Sequence, residues 1–408
     1  MPSLLTWVDY ADADRRRMLN VVQLFREKGT VDELGIGALR DALSDHLFPG
    51  TSTIQTRARY MLLVPWVYQR LERRRIPSAK IDGRARDLEV QLITSLLDGD
   101  DQQQGIIGRE AGKYLHRLPS NVYWSGLKSW GIREFDGSQS DYHRGLDRYY
   151  RRRTRQSRDD DNEPIGTPLS PNWGPGLPVA PDGLWESATL ALAQEEAEYL
   201  RFQIQCTHED SLLCKLVAPG FGDFDADFPW HHPAVAGFPN DLQRDLVHAR
   251  NLSETMHGAA LVYNLMLARA QPHEERIESY EQRFDDWITN VETRRSELIA
   301  WYDRLNEFWS LAPIVERGVA MRTLNFVNRW LDLLFQSVRL SDLLTNPSAL
   351  NLISRREHQL KGGRARLHNR RALELWQGAS GDRQLDYRWA VVKQIISDIT
   401  VALPETHA

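Results

Sequence analysis

A sevenfold apolar repeat between residues 273 and 310 constrains this chain more than any other feature. Ile277, Phe284, Val291, Leu298 and Leu305 recur every seven residues, and Tyr280, Trp287, Arg294, Trp301 and Phe308 fill the second seam position. Nine of these ten positions are apolar or aromatic, which predicts one long amphipathic helix, because residues three, four and seven apart share a helical face. At about 1.5 Å per residue it would reach roughly 57 Å. Its side chains are bulky for a two-stranded zipper and favour burial as a core helix of this chain, with a dimerising coiled coil as the alternative.

Shorter periodic stretches put the rest of the chain in the mainly α class. Ala38, Leu39, Ala42, Leu43, His46 and Leu47 keep helical spacing up to Phe48-Pro49-Gly50, after which Thr51 or Ser52 is expected to cap a second helix running to Leu71, kinked at Pro65. Further helices are predicted at 87–97, 194–205, 209–217, 241–270, 318–336, 348–360, 369–377 and 387–401. Between 159 and 183 three aspartates lead into six prolines, a density that forbids regular structure. The expected organisation is a multi-helix N-terminal domain (1–158), a Pro/Gly-rich linker or long surface loop (159–183), and an all-α bundle (184–408) built on the long helix. A length of 408 residues suits two or three domains, and 41% hydrophobic with 26% charged residues excludes wholesale disorder. Two cysteines cannot build a disulfide framework, and neither a signal peptide nor an apolar run of membrane-spanning length is visible, so a cytoplasmic protein with no membrane association is expected.

Charge is unevenly distributed. Residues 1–158 hold 27 Lys/Arg against 20 Asp/Glu, a balance of +7, leaving 24 against 36, or −12, for the remainder. Only 7 of the 51 basic residues are lysine, and arginine favours bidentate phosphate and carboxylate contacts. Within the basic part, 108–131 reads as a candidate helix-turn-helix: a helix over 109–117, a break at Leu118-Pro119, Ser120 as N-cap, and a second helix ended by Gly131. Asn121, Ser125 and Lys128 are its candidate groove-facing groups. Arg148, Arg151, Arg152, Arg153, Arg155 and Arg158 crowd the linker edge, and Arg57, Arg59 and the run Arg73, Arg74, Arg75 add to them. From 358 to 372 there is no acidic residue, while Lys361, Arg364, Arg366, Arg370 and Arg371 gather around Gly362-Gly363, where amides opening the next helix would help hold an anion.

Other constellations fall short of a chemistry. Residues 105–113 imitate a phosphate loop, but Gly108 is one residue too close to Gly112-Lys113 and Tyr114 replaces the magnesium-binding hydroxyl. Glu254 and His257 form the Glu-x-x-His pair of di-iron bundles, and Asp245 with His248 a related pair, yet no second helix carries the pattern. They are weak metal candidates, and a buried polar network is the stronger expectation. Cys206, His208, Cys214, His231 and His232 match no zinc spacing, and Asp223, Asp225 and Asp227 lack the glycine and glutamate of a calcium loop. No cofactor is expected.

Trp7-Val-Asp-Tyr10, Asp32-Glu-Leu-Gly-Ile-Gly37, Leu47-Phe-Pro-Gly-Thr-Ser-Thr53 with Gln55-Thr-Arg-Ala-Arg-Tyr60, and the segments around Tyr123-Trp124, 256–266 and Tyr387-Arg-Trp389 together resemble an uncharacterised bacterial family, a domain of unknown function. The resemblance spans most of the chain and implies membership, not an activity, with some relatives in antiphage or mobile islands. The expected function is a non-enzymatic nucleic-acid-associated subunit of a bacterial multi-protein system of that kind. The alternatives are a helical adaptor that binds a protein partner through the C-terminal region, and a metal-dependent enzyme using Glu254 and His257.

Overall fold

In the computed structural model, which describes residues 32–99, 103–154, 171–218 and 225–404, every regular element among them is helical, and one isolated antiparallel bridge joins Arg133 to Trp173. The 7–10 motif, Arg155, Arg158, the acidic and first proline-rich part of 159–183, and Asp223 lie outside the described residues. The described chain gathers into two compact units, each assembled from separated stretches: Leu43–Leu246 with residues 386–404, and Val247–Leu385 with residues 32–42.

The helices, in chain order, begin with α1 (Gly37–Leu47), α2 (Tyr60–Arg73), α3 (Ser78–Gly99), α4 (Pro119–Ser129), α5 (Gln139–Thr154), α6 (Gln194–Thr207), α7 (Leu212–Leu216) and α8 (Asn240–Ala270). In the first unit α2 is the centre. Ten of its fourteen residues, among them Tyr60, Met61, Trp66, Tyr68 and Leu71, are buried, and a helix apolar on every side must be enclosed on every side. Helices α3 and α4 pack on it and α5 packs on α3. Close approach is possible because Gly126 of α4 has no side chain, and a Cβ there would lie 2.4 Å from the carbonyl oxygen of Gly50. Residues 171–183 lie as a loop on the same unit: Trp66 Nε1 donates to the Pro178 carbonyl at 2.8 Å, and Trp173 is buried.

The second unit takes α8 from Val247 onward, then α9 (Glu274–Thr293), α10 (Arg295–Tyr302), α11 (Leu305–Trp309), α12 (Ala312–Arg317), α13 (Met321–Gln336), α14 (Pro347–Lys361) and α15 (Arg370–Glu374); α16 (Trp389–Val401) belongs to the first. Here the single long helix is corrected: the 273–310 repeat folds as three segments, interrupted at Arg294 (φ −108°, ψ 14°) and at Asp303-Arg304. The seam itself is buried, with Tyr280, Phe284, Trp287, Val291, Leu298, Trp301 and Phe308 all in the core. Arg294 explains the first break. Its guanidinium pairs with Glu254 and reaches Asn251 Oδ1 at 3.0 Å, both on α8, so the one charged seam position is satisfied by a half-buried ion pair. Nearby, Gly258 admits the Trp287 ring, whose Cζ2 would lie 2.3 Å from a Cβ at that position.

Candidate nucleic-acid interface

The helix-turn-helix is not formed. Gly108 and Gly112 take positive φ (89° and 48°), a conformation that interrupts a right-handed helix, and 109–117 holds turns and one 3-10 turn at Gly112–Tyr114. Helix α4 starts two residues early, at Pro119, so Ser120 lies inside it, buried, giving its amide and hydroxyl to Glu89 (2.8 and 2.7 Å). Of the groove-facing candidates, Asn121 accepts from the Leu118 amide and donates to Gln139, Lys128 pairs with Asp136 at 2.7 Å, and Ser125 is exposed.

Arg57 and Arg59 are also corrected, since both are structural ion pairs. Arg59 is buried and grips Glu196 through two bonds of 2.9 and 2.7 Å, with Thr189 taking a third. Arg57 Nε reaches both oxygens of Asp398 at 2.9 Å. Sequence reading missed these because the partners stand 137 and 341 residues away.

Exposed cations remain at the C-terminal ends of two helices of this unit: Arg73, with Arg74 and Arg75 just beyond α2, and Arg148, Arg151, Arg152 and Arg153 on α5. The fold brings the two runs to one place. Arg73 and Arg153 line a cleft of about 340 Å³ with Gln69, Glu72, Tyr149 and Asn172. Its floor is fixed from below. Glu72 Oε1 accepts from the Tyr142 hydroxyl, from Asn172 Nδ2 at 3.0 Å and from Trp173 Nε1 at 3.0 Å. Beneath it Tyr68, Trp124, Tyr142 and Trp173 pack mostly edge to face, an arrangement favoured by the ring quadrupoles. The arginine runs were visible in the sequence; the cleft was not, because its floor comes from the 171–173 segment.

In the other unit the 361–371 cluster divides. Lys361 and Arg366 are structural: Glu33 pairs with Lys361 and with Arg366 Nη1 (2.8 Å), and Lys361 also meets the fully buried Glu357 at 3.1 Å. Arg364 and Arg371 are exposed and form no ion pair among the described residues, and Arg370 pairs only with exposed Glu374 at 3.3 Å. The amides opening α15 are not open to an anion, because Asn369 Oδ1 already accepts from Arg371 and Ala372. The 32–37 motif explains itself at the same spot. Asp32 accepts from the amides of Ile36 and Gly37, while the carbonyls of Leu34 and Gly35 accept from buried Arg356 of α14. Gly35 (φ 67°) is obligatory: a Cβ would sit 2.4 Å from Arg356 Nη2.

The metal candidates are occupied otherwise. The Glu254 carboxylate is held by Arg250 (2.8 Å) and Arg294, and the His257 ring hydrogen-bonds the Asp382 carbonyl at 3.2 Å. Burial, then the charge of Arg283, pushes His257 down to about 4, so it is neutral at pH 7. Asp245 pairs with His46 and His248 accepts from Trp301, so that pair also serves packing. Cys206 is exposed and Cys214 buried, and His208 bonds Ser129. Among the described residues no three His, Cys, Asp or Glu side chains come together as a metal site, and no helix is long and apolar enough to cross a membrane.

No curated protein and no solved structure matches the chain. A family model does match, over residues 2–402, a span that takes in the 32–37 motif, both arginine runs and the cleft. The chain therefore belongs to DUF6361, a family of unknown function.

Proposed function

We propose that this protein is a non-catalytic, nucleic-acid-associated subunit of a bacterial multi-protein system, acting in the cytoplasm and holding phosphates on the exposed arginines that form no ion pair among the described residues. The observation that carries the reading is the convergence of Arg73 and Arg153, from runs eighty residues apart, on one cleft. Arg57 and Arg59 of this unit are already neutralised by Asp398 and Glu196, whereas Arg73, Arg74 and Arg75 and Arg151, Arg152 and Arg153 stay exposed in two groups. A grouped set of exposed guanidiniums concentrates positive potential where a polyanion can dock. Arg364 and Arg371 on the other unit offer a second contact of the same kind.

Binding of labelled single- and double-stranded DNA and RNA, followed by fluorescence anisotropy from about 50 to about 200 mM salt, tests this. Affinity should fall steeply with salt. Reversing Arg73 and Arg153 to glutamate should weaken it at least roughly tenfold and reduce the salt slope by about 2, one per lost phosphate contact. The Arg364→Glu/Arg371→Glu pair should act in the same direction. Both pairs are exposed, so thermal stability should hold. Absent or salt-independent binding to every probe would sink the reading.

A further inference from the structure

Resting on that reading, we infer that the cleft takes one unpaired nucleotide of the bound strand, and that Glu72 and Gln69 read its base. Size is the first argument. At about 340 Å³ the cleft lies at the lower end of small-ligand sites, roomy enough for a nucleotide splayed out of a strand and far too small for a duplex. Single-stranded nucleic acid is held by this combination of cationic rim and aromatic platform. Arg73 and Arg153 supply the rim and Tyr149 supplies a ring that lines the cavity.

The second argument is the hydrogen bonds left unmade. Three donors saturate Glu72 Oε1, whereas Oε2 has no hydrogen-bond partner among the described residues, and neither does the half-buried Gln69 amide. A carboxylate repels phosphate, so the phosphate stays at the guanidinium rim and the base points inward. An unpaired carboxylate oxygen there accepts from an exocyclic amino group, as on cytosine or adenine, and rejects the carbonyl that thymine and uracil present at the corresponding position.

The test is Glu72→Gln. The side-chain carbonyl oxygen must stay on the saturated side, where three donors demand an acceptor, so the new NH2 faces the cleft and converts its acceptor into a donor. Anisotropy at neutral pH with short oligo-dC, oligo-dT and a fully paired hairpin should show oligo-dC bound roughly tenfold tighter than oligo-dT, with the hairpin weakest. Glu72→Gln should reverse the order of the two strands. Tyr149→Ala should weaken both strands roughly tenfold without affecting the hairpin, and Tyr149→Phe should restore them. If Glu72→Gln fails to fold, Gln69→Leu, which touches none of the Glu72 donors, should still narrow the dC-to-dT ratio. Strands that bind with unchanged dC-to-dT ratios in all these variants overturn the inference and leave the phosphate-binding reading standing. Free dCMP bound at the cleft with no strand bound overturns both.

Discussion

Replacing Glu357 with leucine is expected to lower the unfolding free energy of the Val247–Leu385 unit by about 3–5 kcal/mol, the range for breaking a buried ion pair by removing one partner. Glu357 is fully buried on α14 and accepts from the Tyr263 hydroxyl at 2.6 Å, from Lys361 at 3.1 Å and from the amides of Arg366 and Leu367 at 2.8 and 3.0 Å. Burial alone would raise its pKa, but the bonds from Tyr263 and the two amides, then the charge of Lys361, hold it below the ordinary value. Leucine fills nearly the same space, so the cost is the Tyr263 hydroxyl and the two amides left without an acceptor, together with the loss of one of the two carboxylates that neutralise Lys361, which keeps Glu33. Glutamine keeps one oxygen and should fall between leucine and wild type. Denaturant titration gives the size of the effect, and hydrogen exchange gives its place: the amides of Arg366 and Leu367 should lose protection first. A loss below about 1 kcal/mol would mean that these donors find other partners when the carboxylate goes.

Two anomalies in the sequence turn out to be one feature. Arg294 stands in the 273–310 repeat as a flaw, and Glu254 stands on α8 as half of a metal-binding pair, yet each is the other's partner. Helical periodicity is local, so α8, α14 and α16 begin and end within two residues of where their patterns do. Ion pairing is not local, and a count of arginines cannot separate Arg59, enclosed with Glu196, from Arg153, open to solvent. The same blindness made Lys361 and Arg366 look like anion-binding residues when Glu33 already holds both. The helix-turn-helix reading is a different error. Gly108 and Gly112 break the first helix by taking positive φ, a signal that composition carries and helical spacing alone does not. Three parts of the cleft are far apart in sequence, at 69–73, 149–153 and 171–173, and no spacing rule connects them.

Glu89→Gln should make the first unit's stability less dependent on pH, with a gain of up to about 3 kcal/mol at alkaline pH and little change near pH 4.5. Glu89 is fully buried on α3, and the donors bonded to it, the amide and hydroxyl of Ser120, carry no charge. Burial is the dominant cause that pushes its pKa from 4.5 up to about 7, outweighing the Ser120 bonds and the charge of Arg86, while Asp82 adds a small push upward. In the unfolded chain the carboxyl releases its proton near 4.5, so between there and about 7 the folded state binds more protons. Stability therefore falls as pH rises through that window, and the deficit is complete above it. At roughly 1.4 kcal/mol per pKa unit the gap amounts to about 3 kcal/mol. Glutamine keeps an oxygen for the Ser120 amide and stays neutral throughout. Tyr68 bonds the neighbouring His143, whose pKa burial lowers, and that shift has the opposite sign: its unfolded form binds the extra proton below about 6.5, so its contribution to stability grows with pH. The two slopes partly cancel in the wild-type curve. Both proteins contain His143, however, so the difference between their denaturant midpoints isolates Glu89. That difference should widen steadily from pH 4.5 to 7 and then level off, whereas a gap that is constant across the range would show that Glu89 is ionised in the folded core.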